Sequence, residues 1–113
     1  MHLNDYNISE LTPGSTALAT DKWETLLTQL PNWSIDSIDG VPQLRCVFKF
    51  TNFVEAIGFA NKVGEIAELA DHHPSLLVEW GQVQIAWWSH NLSGLHLNDF
   101  IMAAKTQQVY QSR

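Results

Sequence analysis

Gln43-Leu44-Arg45-Cys46-Val47-Phe48-Lys49-Phe50 alternates without a break, and that alternation decides the fold class. Leu44, Cys46, Phe48 and Phe50 share one face, while Arg45, Val47 and Lys49 share the other. Successive side chains of a strand point to opposite faces, so a period of two predicts a strand with one core-facing side. Just downstream the period changes. Asn52 can cap a helix, with Glu55 three residues on at the position that reaches back. Phe53, Ala56, Ile57, Ala60, Val63, Ala67 and Ala70 then recur at helical spacing. Pro74 disfavours helical geometry at His73, so this helix is predicted to end around Ala70 to His72.

Upstream, a helix is predicted from Thr20 or Asp21, where Asp21 and Glu24 form a capping-box-like pair. Trp23, Leu26, Leu27 and Leu30 make its apolar stripe, and Pro31 ends it. Trp33 to Asp36 reads as a short strand, with Asp39-Gly40 as the turn after it. Downstream, Leu76 to Trp80 and Val83 to Ser89 read as a hairpin around Gly81-Gln82. A last helix is predicted from about Leu97 to Tyr110, with Phe100, Ile101 and Ala104 available for packing. The order α-β-β-α-β-β-α predicts an α+β protein with helices on one face of an antiparallel sheet. Residues 1–15 are polar, end in Pro13-Gly14-Ser15 and read as a flexible N-terminal segment, with residues 16–113 as one domain.

Composition excludes several classes of function. At 113 residues and 45% hydrophobic content, the chain can bury one modest core. A formal net charge of −6 argues against direct nucleic-acid binding, which needs a basic face to neutralise phosphates. The single cysteine, Cys46, falls on the core side of its strand and fits packing in a reducing compartment. No apolar run approaches the roughly 18 residues of a membrane span, and the start lacks a signal-peptide layout. A cytoplasmic location is therefore expected.

The chemistry gathers around histidines. His72 and His73 are adjacent where the long helix must stop, and His90 follows the second strand of the hairpin. The beginning of one hairpin strand and the end of the next are neighbours in space, so Ser89-His90 is expected to return towards His73-Pro74. Pro74 should hold His73 extended and point it away from His72. Imidazole gives and takes protons near neutral pH, which suits a proton-transfer site. Three imidazoles and a carboxylate could also bind zinc, but adjacent extended histidines point apart and no CxxC or HExxH spacing is present. Glu68 lies four residues before His72, where it could orient that ring if the last helical turn persists. Of Trp87 and Trp88, on opposite strand faces, one should be core and the other interface or pocket wall. His2 reads as an ordinary polar residue, and His96 as a weak helix N-cap.

The set Glu68, His72-His73-Pro74, Trp80, His90 and Asp99 resembles the signature of the pterin-4a-carbinolamine dehydratases. The resemblance runs from about Trp33 to Val109 and is closest to the bacterial branch, through Glu79-Trp80-Gly81, Trp87-Trp88-Ser89-His90 and the segment from Asn98 to Ala104. It implies a four-stranded antiparallel sheet with helices on one side. The activity it implies is loss of water from 4a-hydroxytetrahydropterin to give quinonoid dihydropterin, which recycles the pterin of an aromatic amino-acid hydroxylase such as phenylalanine hydroxylase. It also implies no metal and no organic cofactor, and a homo-dimer or homo-tetramer.

By the same resemblance, Asp71, His72, His73, Trp88, Ser89, His90 and Asn91 are expected to contact the pterin. His72, His73 and His90 are the expected catalytic residues: His72 and His90 for the acid and base steps, His73 to bind and polarise the pterin edge. Asp99 is expected as a supporting or helix-starting carboxylate. Relatives in animals also act as dimerisation cofactors for a transcription factor, so a non-enzymatic binding or regulatory module is the alternative. Such a module would have no physical reason to keep the histidine set.

Overall fold

Strand β2 (Val41–Lys49) is the alternating stretch, and its burial follows the alternation: Leu44, Cys46 and Phe48 are buried while Val47 and Lys49 are exposed. The computed structural model describes residues 2–7, 17–90 and 94–113. Strand β1 (Ser34–Ile38) pairs with β2 through a tight turn at Asp39 and Gly40. Both turn residues have positive φ, 52° and 80°, the geometry a two-residue hairpin with native twist needs. Strands β3 (Ser75–Glu79) and β4 (Gln82–Trp87) form the second hairpin. Its turn residues are Trp80 and Gly81, one position earlier than the sequence suggested, because Glu79 pairs with Gln82.

The four strands form one antiparallel sheet in the order β1-β2-β4-β3. In the central pair, Leu44, Cys46 and Phe48 lie opposite Trp87, Ile85 and Val83, all buried, so one face of the sheet is continuous core. Helix α1 (Trp23–Leu27) follows a 3-10 turn at Thr20–Lys22 and precedes β1. The predicted cap at Asp21 does not form: no side chain caps either segment. Helix α2 (Phe53–Ala70) joins the hairpins, and α3 (Leu97–Gln111) closes the chain. This is the predicted α+β architecture.

Asn52 caps α2 by accepting the Glu55 N–H at 2.8 Å. The Glu55 carboxylate accepts from the Thr51 hydroxyl at 2.6 Å, so it does not reach back to the cap residue. The buried stripe of α2 is Ala56, Phe59, Ala60, Val63 and Ala67. Phe53 and Ile57, expected in that stripe, are 46% and 38% exposed; Phe59 takes the core position instead. Its ring packs within 4.9 to 5.6 Å of Phe48, Phe50 and Tyr110, forming an aromatic cluster between sheet and helices. Five consecutive residues of α3, Phe100 to Ala104, are buried, because that helix packs against α2, the sheet and the N-terminal turn. The N-terminal turn also departs from expectation. Leu3 is 1% exposed and its N–H bonds the Gln29 side chain, so this end is anchored in the core. The rest of the segment read as flexible, residues 1 and 8–15, lies outside the described residues.

Candidate functional site

The end of α2 delivers the paired histidines. Asp71 adopts left-handed backbone (φ 50°, ψ 43°). The His72 N–H bonds back to the Ala67 carbonyl at 3.1 Å, and the Asp71 N–H to the Glu68 carbonyl at 3.2 Å. This double closure is a Schellman end, built here on aspartate, which tolerates the left-handed region better than most residues. The reversal separates the two rings, as the sequence predicted.

His72 turns inward. Its Nε2 lies 2.5 Å from Oδ1 of Asp99, and its ring stacks on Trp87 at 5.7 Å and 13°. Asp99 is fully buried, while His72 keeps 19% of its side chain exposed. The other oxygen of Asp99 accepts the Ser89 hydroxyl at 2.9 Å and the His96 backbone N–H at 2.8 Å. A buried carboxylate with three donors can stay ionised without a metal or an arginine beside it. An ionised carboxylate only accepts, so with Asp99 ionised Nε2 of His72 carries the proton and Nδ1 is the unprotonated ring nitrogen.

His73 turns outward and meets Glu68, with Nε2 3.2 Å from Oε1 and both side chains exposed. Glu68 therefore does not orient His72, as the four-residue spacing suggested. That spacing makes neighbours only while the helix lasts, and α2 stops at Ala70. The carboxylate that holds His72 is Asp99, at the start of α3.

The hairpin does bring Ser89 back to the end of α2. Ser75 pairs with Ala86, and the chains leaving that end place His72 and Ser89 on the same carboxylate. His90 is exposed and stacks on the half-buried Trp88 at 4.5 Å and 23°. Among the described residues each imidazole thus has its own partner: Asp99, Glu68 and Trp88. Trp87 is the fully buried tryptophan of the pair. Asn91, expected at the pterin, lies outside the described residues.

Two residues carry more than the sequence suggested. His96 is an effective cap: its Nδ1 accepts the Asn98 N–H at 3.0 Å while Asp99 accepts the His96 N–H, completing a capping box. Trp87, read only as core or wall, is the surface on which His72 lies. The strand register could have flagged it, since Trp87 continues the buried side of β4.

Glu68, Asp71 and His73 place one donor atom each within 4.8 Å of one another and could hold a divalent ion. All three are exposed, which is equally the arrangement of a solvated helix end. A cleft of about 500 Å³ lies elsewhere, lined by Ser34, Asp36, Arg45, Lys49, Gln84 and Tyr110. It contains no histidine, so the chemistry is assigned from the side chains and not from cavity volume.

Fold and site together mark a small α+β protein with a half-buried histidine on a buried aspartate where its two long helices meet the sheet. The pattern of the pterin 4 alpha carbinolamine dehydratases matches residues 16–109. A Chlorobium luteolum protein is 47% identical over 109 residues, covering 96% of both chains. A Vibrio vulnificus protein is 50% identical over 93 residues, covering 82% of this chain and 84% of its own. Both are provisionally named pterin-4-alpha-carbinolamine dehydratases. The crystal structure of a transcriptional coactivator/pterin dehydratase from Brucella melitensis superposes with a TM-score of 0.74 at 28% identity, covering 83% of this chain and 98% of its own. A pterin dehydratase-like protein described as a RuBisCO assembly factor in the alpha-carboxysome shares the fold, with a TM-score of 0.59 at 18% identity over 70% of this chain and 89% of its own. The chain belongs to the pterin 4 alpha carbinolamine dehydratase family.

Proposed function

We propose that this protein dehydrates 4a-hydroxytetrahydropterin to quinonoid dihydropterin. The observation that carries the reading is the buried Asp99, which grips Nε2 of His72 and leaves Nδ1 for proton transfer. In the reaction the C4a–oxygen bond breaks as a proton reaches the leaving hydroxyl, and water departs. The N5 proton is withdrawn, and the N5–H pair becomes the C4a=N5 double bond. Both transfers suit groups with pKa near the working pH, each contributing about 10² to 10⁴-fold.

His72 is the acid–base group held by the protein. His73 and His90, both exposed, supply the second proton transfer and the hydrogen bonds to the pterin edge, with Asp71 and Trp88 beside them. Asn91 keeps its expected place as a pterin contact. The product recycles the cofactor of a pterin-dependent aromatic amino-acid hydroxylase such as phenylalanine hydroxylase, and a cytoplasmic location fits both that link and the free thiol of Cys46. Self-association into a dimer or tetramer is supported by β3, a sheet-edge strand that carries Leu77 at 52% exposure, with Trp80 at 71% exposure in the turn after it.

The test is an assay with synthetic 4a-hydroxytetrahydropterin, with and without chelator, on the wild type and on His72→Ala, His73→Ala and His90→Ala. Wild-type activity that resists chelation and falls in His72→Ala is the expected result. Unchanged rates in all three variants would sink it. The second reading, a binding module without catalysis, is favoured by exposed Phe53, Val54 and Ile57 on α2. It requires an inactive wild type and partner binding that survives loss of the histidines.

A further inference from the structure

We propose that Ser89 is a positioning residue that sets the tautomer and orientation of His72 through Asp99, and that it is not a pterin contact. Its role in catalysis rests on the dehydratase reading above; its effect on the imidazole does not.

Ser89 sits two residues beyond the end of β4 and is only 6% exposed. Its backbone is fixed by a bridge to Gly94, with the Ser89 N–H donating to the Gly94 carbonyl at 2.8 Å. From that clamped position the hydroxyl donates to Oδ2 of Asp99 at 2.9 Å. A buried hydroxyl committed to a buried carboxylate is poorly placed to meet a substrate. It is well placed to decide how that carboxylate behaves.

Asp99 is reached by groups from three elements. His72 comes from the α2–β3 connection, Ser89 from the end of β4, and the His96 N–H from the start of α3. Among the described residues no lysine or arginine pairs with it. The charge is therefore held by hydrogen bonds and by the positive end of α3. The division of labour between its oxygens follows. Ser89 and His96 both use Oδ2, so among the described residues Oδ1 is presented to His72 alone. Only the Ser89 donor can be removed by a side-chain substitution, since the His96 donor is main chain.

Without the hydroxyl, Oδ2 keeps a single donor among the described residues, in a site closed to water. Oδ1 then takes over the Nε2 proton more readily, Nδ1 takes up a proton from solvent in exchange, and the ring populates the Nδ1–H form beside a neutral Asp99 carboxyl. In that form the atom needed as a base already carries a proton. Ligand histidines show the same dependence on outer hydrogen bonds, where loss of the partner costs about 10 to 100-fold in activity.

The test uses the full chain with Ser89→Ala, Ser89→Thr and Ser89→Cys. Nitrogen NMR of the His72 ring reads the tautomer directly, and the pH profile of kcat and kcat/KM reads the same group during turnover. Ser89→Ala should shift His72 towards the Nδ1–H form, move its titration midpoint, and lower kcat about 10 to 100-fold with KM little changed. Ser89→Thr keeps the hydroxyl and should restore both readouts, while the weak thiol donor of Ser89→Cys should fall between. Should Ser89→Ala fail to fold, the threonine and cysteine variants still order the series. A raised KM with kcat unchanged, or a His72 tautomer and titration identical across the series, overturns the proposal. A wild type without dehydratase activity but with the tautomer shift would count against the reaction and leave the positioning role intact.

Discussion

Oδ1 of Asp99 lies 2.5 Å from Nε2 of His72, although 27 residues separate the two in the chain. Asp99→Asn keeps the shape and removes the charge, so the side chain no longer fixes the proton on Nε2. It should lower kcat by about 10² to 10⁴-fold, the range of a lost proton transfer, with a smaller change in KM. Steady-state kinetics check this, and an Asp99→Asn enzyme at full kcat would remove the pair from the mechanism.

The outward pair behaves differently. Glu68 and His73 are both exposed, so their contact is screened by solvent. Glu68→Gln should change activity only through His73, and its effect should vanish in a His73→Ala background. A double-mutant cycle on kcat/KM measures this coupling. Coupling of Glu68 to His72 instead would mean the helix end is arranged differently in the working enzyme.

Asp71 holds the reversal at φ 50°. Asp71→Gly should keep or raise thermal stability, since glycine takes the left-handed region freely. Asp71→Val should cost about 1–2 kcal/mol, the penalty for a side chain forced into that region. Denaturant unfolding of the two variants reads the difference directly. Equal stability would show that the turn relaxes.

Burial pushes the Cys46 thiol from 9.0 up to about 11, partly offset by a backbone hydrogen bond at Val47. The folded protein thus prefers the protonated thiol more than the unfolded chain does. This contribution is complete below pH 9, and it is lost as pH rises from there through 11. At pH 8 the two-unit shift leaves about 100-fold less thiolate than a free cysteine, so native Cys46 should resist thiol reagents that label the denatured chain at once. Rapid native labelling would contradict it.

How much of this was legible in the sequence depended on locality. Leu44, Cys46 and Phe48 announced the core face of β2 because strand alternation is a nearest-neighbour property, and Pro74 announced the end of α2 for the same reason. The helix stripe was read with Phe53 and Ile57 at its edge where Phe59, on the opposite edge, is the buried residue, and only tertiary packing separates the two edges. The partners of the histidines were least legible. Which carboxylate meets His72 depends on one left-handed residue at Asp71 and on the approach of α3, neither of which spacing encodes. Ser89 was expected as a pterin contact, and its direction into the core depends on the Gly94 bridge, which spacing does not encode.

Asp99 closes the first turn of α3 and grips the imidazole with the same two oxygens. Fraying of that turn and release of His72 are therefore one event with one opening free energy. Hydrogen exchange at the amides of Leu97 to Phe100 would time how often the His72 imidazole comes loose, with no ligand present.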